Sequence, residues 1–128
     1  MAGTATIRNF VAITELGHFP PFSTEYTITG IDEGAYRYEE LAAEAAIAID
    51  VGVIDTVNGL VIRLVSGGTT AATGLSVDLS TATWAATDFV ILSGDAIFLR
   101  PSVATISMKN LSTETTAVVE YLVFGDNE

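Results

Sequence analysis

The C-terminal stretch of residues 116–124, which reads TAVVEYLVF, decides the fold class. Both phases of its two-residue alternation carry apolar side chains: Val119, Tyr121 and Val123 in one phase, and Val118, Leu122 and Phe124 in the other. Valine and aromatic residues favour extended backbone. Apolar residues on both faces are typical of a strand in the middle of its sheet. We therefore predict a central strand that is buried on both sides.

The same kind of pattern, punctuated by Gly and polar turns, recurs along the whole chain. It predicts ten strands, at about 4–14, 23–29, 36–40, 45–53, 60–65, 75–79, 88–92, 96–100, 105–109 and 116–124. Many short strands in 128 residues are typical of a sandwich or a barrel. We predict one all-β domain over residues 1–128, a single β-sandwich of jelly-roll or Ig-like type, with an N-terminal arm or strand at about 1–14.

Two short segments carry distinct local predictions. Asn58-Gly59 is the strongest hairpin signal in the chain, because both central positions of a type I′ turn need positive φ. Residues 38–46, which read YEELAAEAA, have high helix propensity but run directly into the β-type residues that follow. An extended strand is the favoured interpretation there, and a short helix is the alternative.

Composition limits the possible partners. The chain has 16 Asp and Glu against 5 Lys and Arg, a formal charge of −11, which opposes nucleic acid and anionic membrane surfaces. Only 16% of residues are charged and the mean hydropathy is +0.47, so we expect some apolar surface to meet another chain. Lys109 is the sole lysine, so sheet edges lack the usual lysine protection. No signal peptide or membrane-spanning run is indicated at the sequence level.

Catalytic chemistry finds little support. Cysteine is absent, and the single histidine, His18, lies in the apolar turn GHFPPF, where a packing or turn role is favoured. No G-x-S-x-G elbow is present. The adjacent acids Asp32-Glu33 and Glu39-Glu40 would point to opposite faces of a strand, unlike a glycosidase pair. We predict that the chain is not an enzyme and has no catalytic residues.

Metal and cofactor sites are not predicted either. Asp50, Asp55 and Asn58 bracket one possible calcium loop, but aspartates beside glycine most often serve turns, which is the interpretation we favour. Residues 67–74, which read GGTTAATG, lack the spacing of a phosphate-binding loop. Asn110-Leu111-Ser112 matches a glycosylation sequon, which we interpret as a chance match.

Residues 47–125 carry a resemblance. The runs IAIDVG, LVIRLVSGG, LSGDAIFLRP and ISMKNLSTETTAVVEYLVFG are together similar to small virion structural proteins of tailed bacteriophages. Such proteins have a compact β-sandwich that ends in a polar-loop hairpin and a final strand, here Val119 to Gly125. The resemblance implies self-association and a place on a capsid or tail, and it implies no catalytic residues.

The leading hypothesis is a capsid decoration or cement protein, a homo-oligomer with a trimer favoured. It would bind the major capsid protein or other virion subunits through apolar and strand-edge contacts and would reside in the virion, assembled in the host cytoplasm. The candidate interface residues lie in the first strand and the turn after it: Thr4, Thr6, Arg8, Phe10, Phe19, Pro20, Pro21 and Phe22.

Two alternatives remain open at the level of sequence. A phage tail, collar or fibre-attachment subunit would share the fold but be present in fewer copies. A carbohydrate-binding module would belong to another functional class and would present Trp84, Tyr36 and Tyr38 as stacking platforms on one face.

Overall fold

The computed structural model describes residues 3–11, 21–101 and 105–127, and all regular structure in these residues is β. The ten strands are β1 Gly3–Val11, β2 Phe22–Ile31, β3 Glu33–Leu41, β4 Ala46–Ala48, β5 Thr56–Ser66, β6 Leu75–Asp78, β7 Phe89–Ile91, β8 Ala96–Leu99, β9 Ser107–Asn110 and β10 Ala117–Asp126. The predicted all-β sandwich is confirmed. Among the described residues no helix has the length and apolarity needed to cross a membrane.

The strands form two antiparallel four-stranded sheets and one separate hairpin. The main sheet has the order β3-β10-β5-β8, and the second sheet has the order β4-β9-β6-β7. Within the described ranges, strands β1 and β2 pair with each other and with no other strand, and they are called the hairpin below. Lys109 lies in β9, inside the second sheet, so no described edge strand carries a lysine.

The core lies between the two sheets and is almost purely aliphatic. Strand β10 contributes Val119, Tyr121 and Val123, all at most 1% exposed, and β5, β6 and β9 supply Leu60, Ile62, Val77 and Met108. The prediction that the last strand is central in its sheet is confirmed, because β10 pairs with both β3 and β5. The predicted burial on both faces holds only in part: on the second face Phe124 is 5% exposed, where Phe98 stacks on it, whereas Leu122 is 40% exposed.

The predicted turn at Asn58-Gly59 is wrong, because both residues lie inside β5. Gly59 is opposite Phe124, and the register shifts beside this pair, where β5 has the extra residue Asn58 between Val57 and Gly59. A Cβ atom at position 59 would lie 2.2 Å from Cζ of Phe124. This glycine therefore makes room for an aromatic ring from a distant strand, a demand that no local turn preference reveals.

The alternative of a short helix in residues 38–46 is also wrong. Strand β3 continues to Leu41, and a turn follows in which Ala45 N donates to Ala42 O at 3.0 Å. Glu44 takes a positive φ of 63° in this turn. The hydrogen bonds of β3 to β10 outweigh the helix propensity of the segment, which is small per residue.

A buried amide fixes the end of β3. The Asn110 side chain is fully buried, and its Nδ2 donates to Leu41 O at 3.1 Å, Ala42 O at 3.2 Å and Thr115 O at 2.8 Å. Its Oδ1 accepts from Ser112 N at 3.1 Å. These bonds join the β3–β4 turn to the loop before β10. Because the amide nitrogen is enclosed, the sequon at Asn110 is closed to modification in the folded chain.

Candidate interaction surface

The hairpin presents four of the predicted interface residues on one face. Thr4, Thr6, Arg8 and Phe10 alternate along β1, so their side chains point the same way, and all four are exposed. Phe10 has the largest exposed fraction of the large apolar side chains in the described residues, at 69%. Arg8 Nε pairs with Glu25 Oε2 at 2.8 Å across the hairpin, on the same face. The face therefore combines one exposed ring with a satisfied ion pair and threonine hydroxyls.

The opposite face of the hairpin attaches it to the main sheet. Ile28 is only 6% exposed, and the ring of Tyr26 lies 6.3 Å from that of Phe98 on β8. Phe98 in turn stacks on Phe124 of β10, with 6.4 Å between ring centroids and 12° between ring planes. This row of three rings ends over Gly59, whose missing side chain leaves space for Phe124. The sequence glycine thus supports the attachment of the hairpin.

The remaining predicted interface residues are only partly visible. Pro21 is exposed immediately before β2. Phe22 begins β2, opposite Val11, but its side chain lies outside the described residues. Phe19 and Pro20 also lie outside them, as does His18. The structure therefore brings together the four residues of β1 and leaves the turn part of the predicted interface untested.

A second exposed surface is the outer face of the main sheet. Tyr36 and Tyr38 on β3 are 55% and 56% exposed, and Leu122 on β10 lies beside them. The Tyr36 hydroxyl donates to Glu120 Oε2, and Arg63 Nη1 donates to Glu120 Oε1 at 3.3 Å. Sequence reasoning did not group these residues, because β3, β5 and β10 are far apart in the chain. The tyrosines' two-residue spacing on a predicted strand was the only available signal.

The contacts among Tyr36, Glu120 and Arg63 keep the Glu120 carboxylate charged and the Tyr36 hydroxyl neutral. The hydrogen bond from Tyr36, together with Arg63, lowers the pKa of Glu120. The same hydrogen bond raises the pKa of Tyr36. Both shifts move the pKa values away from neutral, so near neutral pH the Glu120 carboxylate stays ionised and the Tyr36 phenol stays protonated. The trio suits a fixed surface better than proton transfer, which needs a pKa near the working pH.

The outer face of the second sheet is covered by the loop between β6 and β7. The half-buried Trp84 donates from Nε1 to Ser76 Oγ at 3.0 Å, and Lys109 Nζ lies 4.6 Å from the centroid of its ring. Trp84 and the tyrosines Tyr36 and Tyr38 thus lie on opposite outer faces of the sandwich. The carbohydrate-binding alternative requires the three rings on one face, and the structure does not bring them together.

Asp78 anchors the loop that carries Trp84. Its Oδ1 accepts from Ser80 N and Ser80 Oγ at 3.0 and 2.8 Å, and its Oδ2 accepts from Ala85 N and Ala86 N at 3.1 and 3.0 Å. Backbone donors favour the charged carboxylate. The bonds from Ser80 and Ala86 lower the pKa of Asp78 from 3.8 to about 2. This ionised side chain has a structural role at the start of the loop.

Of the residues considered for calcium, the Asp50 carboxylate is engaged in other contacts, and the backbone N of Asp55 donates to Asp126 O at 2.9 Å. Asp50 Oδ1 accepts from Gly52 N at 2.9 Å, and its Oδ2 receives Arg37 Nη2 at 3.3 Å, contacts that lower the pKa of Asp50. Asn58 lies within β5. In the described ranges, no three His, Cys, Asp or Glu side chains are grouped so as to hold a metal ion. The arrangement around Asp50 is a turn stabilised by its carboxylate, as the sequence interpretation favoured.

Comparison with known proteins adds no information on function to that given by these surfaces. The chain matches no protein-family model, no curated protein and no solved structure at a significant level.

Proposed function

We propose that this protein is a virion structural subunit of the capsid decoration type, which binds a protein shell through the outer face of its hairpin. The observation that carries the proposal is Phe10, 69% exposed on a hairpin that shares no strand pairing with the other strands the structure describes. Burying a phenylalanine of this kind contributes about 1.5 to 3 kcal/mol. A rigid aromatic anchor surrounded by polar groups is a common pattern at binding sites.

The rest of the molecule is consistent with a shell-bound subunit. The net charge of −11 and the mean hydropathy of +0.47 combine a soluble acidic surface with unusually few charged residues. The ring of Tyr26 contacts Phe98 of the main sheet, and Phe98 stacks on Phe124, so the hairpin is joined to the sheet through its other face. Such a subunit would stabilise its shell by burying apolar surface and strand edges.

The test is binding of the purified chain to empty shells from its virus of origin, measured by cosedimentation. Phe10→Ser removes the anchor without touching the core, and we expect it to weaken binding about 10- to 100-fold. Val53→Ser is the matched control, because Val53 is similarly exposed, at 66%, but lies outside the hairpin. Equal binding by the two variants, or no binding by the unmodified chain, would contradict the proposal.

A further inference from the structure

We infer that β3 is a self-association edge, at which two copies of this chain pair antiparallel with Tyr38 opposite Tyr38 of the second copy, joining two main sheets into one. This inference concerns contact between copies and is independent of the hairpin face that binds the shell. It is carried by the geometry of one strand edge and by the charges on it.

Among the described residues, no strand pairs with the outer edge of β3. Hydrogen-bond direction alternates along antiparallel strands. Leu64 N donates to Asp95 O at 3.0 Å, so the backbone N–H and C=O groups of the even-numbered residues in this part of β5 are directed toward β8. Those of Val61 and Arg63 are directed toward β10. Carried across β10 to β3, the same alternation directs four pairs of backbone N–H and C=O groups away from the sheet, those of residues 34, 36, 38 and 40.

The four residues that carry these backbone groups are exposed to solvent. Among the described residues, the Tyr36 carbonyl accepts a hydrogen bond from Arg37 Nη1 at 3.1 Å. Strand β3 is nine residues long and has no lysine, proline or bulge. A long regular edge of this kind is a template for pairing with another strand.

Two inward-pointing charges decide which strand can pair. Arg37 and Glu39 lie on the core-facing side of β3, where a partner of arbitrary sequence would not place opposite charges across from them. With Tyr38 opposite its own copy, Arg37 lies opposite Glu39 of the second copy, twice in the dimer. In the same register Ala35 lies opposite Leu41. Each charged residue thus lies opposite a residue of opposite charge, and each apolar residue lies opposite an apolar one.

The neighbouring registers fail on charge. With Arg37 at the two-fold axis, the two arginines lie directly opposite each other. With Tyr36 at the axis, Glu39 lies opposite Glu33 of the second copy. Like charges in such positions are destabilising. The existing contact of Arg37 with Asp50 is long, at 3.3 Å, and its side chains are 38% and 59% exposed, so Arg37 is available to a second carboxylate.

The pairing also fits the exposed rings on the other face of β3. Tyr38 would lie beside Tyr38 of the second copy, with Tyr36 of each copy diagonal to it, and aromatic cross-strand neighbours stabilise sheets. The resulting assembly has a two-fold axis. It therefore differs from the trimer favoured by the sequence, which would need another surface.

The experiment is sedimentation equilibrium of the full chain with a charge-swap series. The unmodified chain is expected to dimerise at micromolar to tens of micromolar concentration. Glu39→Arg places arginine against arginine twice, which should weaken the dimer about 10- to 100-fold. The double variant Arg37→Glu with Glu39→Arg restores opposite charges and should restore the dimer. Glu114→Arg, an equal charge change in an exposed loop, is the control.

A backbone variant gives a second readout. Tyr38→Pro removes the Tyr38 ring and an N–H that points away from β10 but no hydrogen bond to β10, so it should abolish the dimer while thermal melting shows a folded chain. A monomeric unmodified chain at several hundred micromolar would overturn the inference. So would a dimer that tolerates both Glu39→Arg and Tyr38→Pro. Phe10→Ser should leave the dimer intact, which separates failure of this inference from failure of shell binding.

Discussion

Replacing Asn110 by alanine should be among the most damaging single changes outside the aliphatic core. The substitution removes three donated bonds and one accepted bond at a site with no exposed surface. At about 1 kcal/mol net for each bond, the loss is about 3 to 4 kcal/mol. Ala42 and Thr115 are exposed, so water can recover part of it, and we expect about 3 kcal/mol. That is a large share of a domain stability of about 5 to 15 kcal/mol.

The assay is urea unfolding followed by the fluorescence of Trp84, the only tryptophan. A loss of about 3 kcal/mol corresponds to a fall in melting temperature of about 10 °C for a chain of this length. Asn127→Ala is the control, because Asn127 is exposed and makes one bond of 3.3 Å to Glu33; its effect should stay below about 0.5 kcal/mol. A loss below about 1 kcal/mol for Asn110→Ala would refute the assigned role of this amide.

Three further changes test other parts of the structure. The pKa of Asp78 is lowered to about 2, so its ionised form stabilises the fold above about pH 4 and that contribution disappears as the pH falls toward 2; Asp78→Asn should flatten the acid part of the stability curve measured by Trp84 fluorescence, and an unchanged curve would contradict this. Gly59→Ala should destabilise the chain by about 2 kcal/mol or more in thermal melting, because its Cβ would meet the Phe124 ring, and a neutral effect would disprove the close packing. Glu44→Gly should stabilise by about 1 kcal/mol in urea unfolding, because Glu44 has φ 63°, whereas a loss would show that its side chain makes a favourable contact.

Local sequence pattern identified the strands well. All ten predicted strands have a counterpart, because β-branched residues and turn residues report on each segment independently. The common face of Thr4, Thr6, Arg8 and Phe10 also follows from two-residue spacing alone. That Phe10 remains exposed does not follow, since it depends on which face of the hairpin contacts Phe98.

The errors arise where distant strands decide the outcome. Asn58-Gly59 has ideal turn chemistry, but the ring of Phe124 needs the space above Gly59 and keeps it in a strand. Residues 38–46 favour a helix locally, yet pairing with β10 extends residues 38–41, and a turn follows them. The order β3-β10-β5-β8 brings Tyr36, Glu120 and Arg63 together, and the open edge of β3 depends on the same order. No pattern within one segment contains that order.

We propose that the chain is an abundant component of a virus shell, and the most direct test is its copy number in particles purified from the chain's source. Quantitative mass spectrometry against labelled peptides would give the ratio of this chain to the major shell protein. A decoration subunit is expected at a ratio of the order of one chain to one or a few shell subunits. A few copies per particle would instead indicate a tail or collar subunit, and absence from the particles would contradict a structural role in the virion.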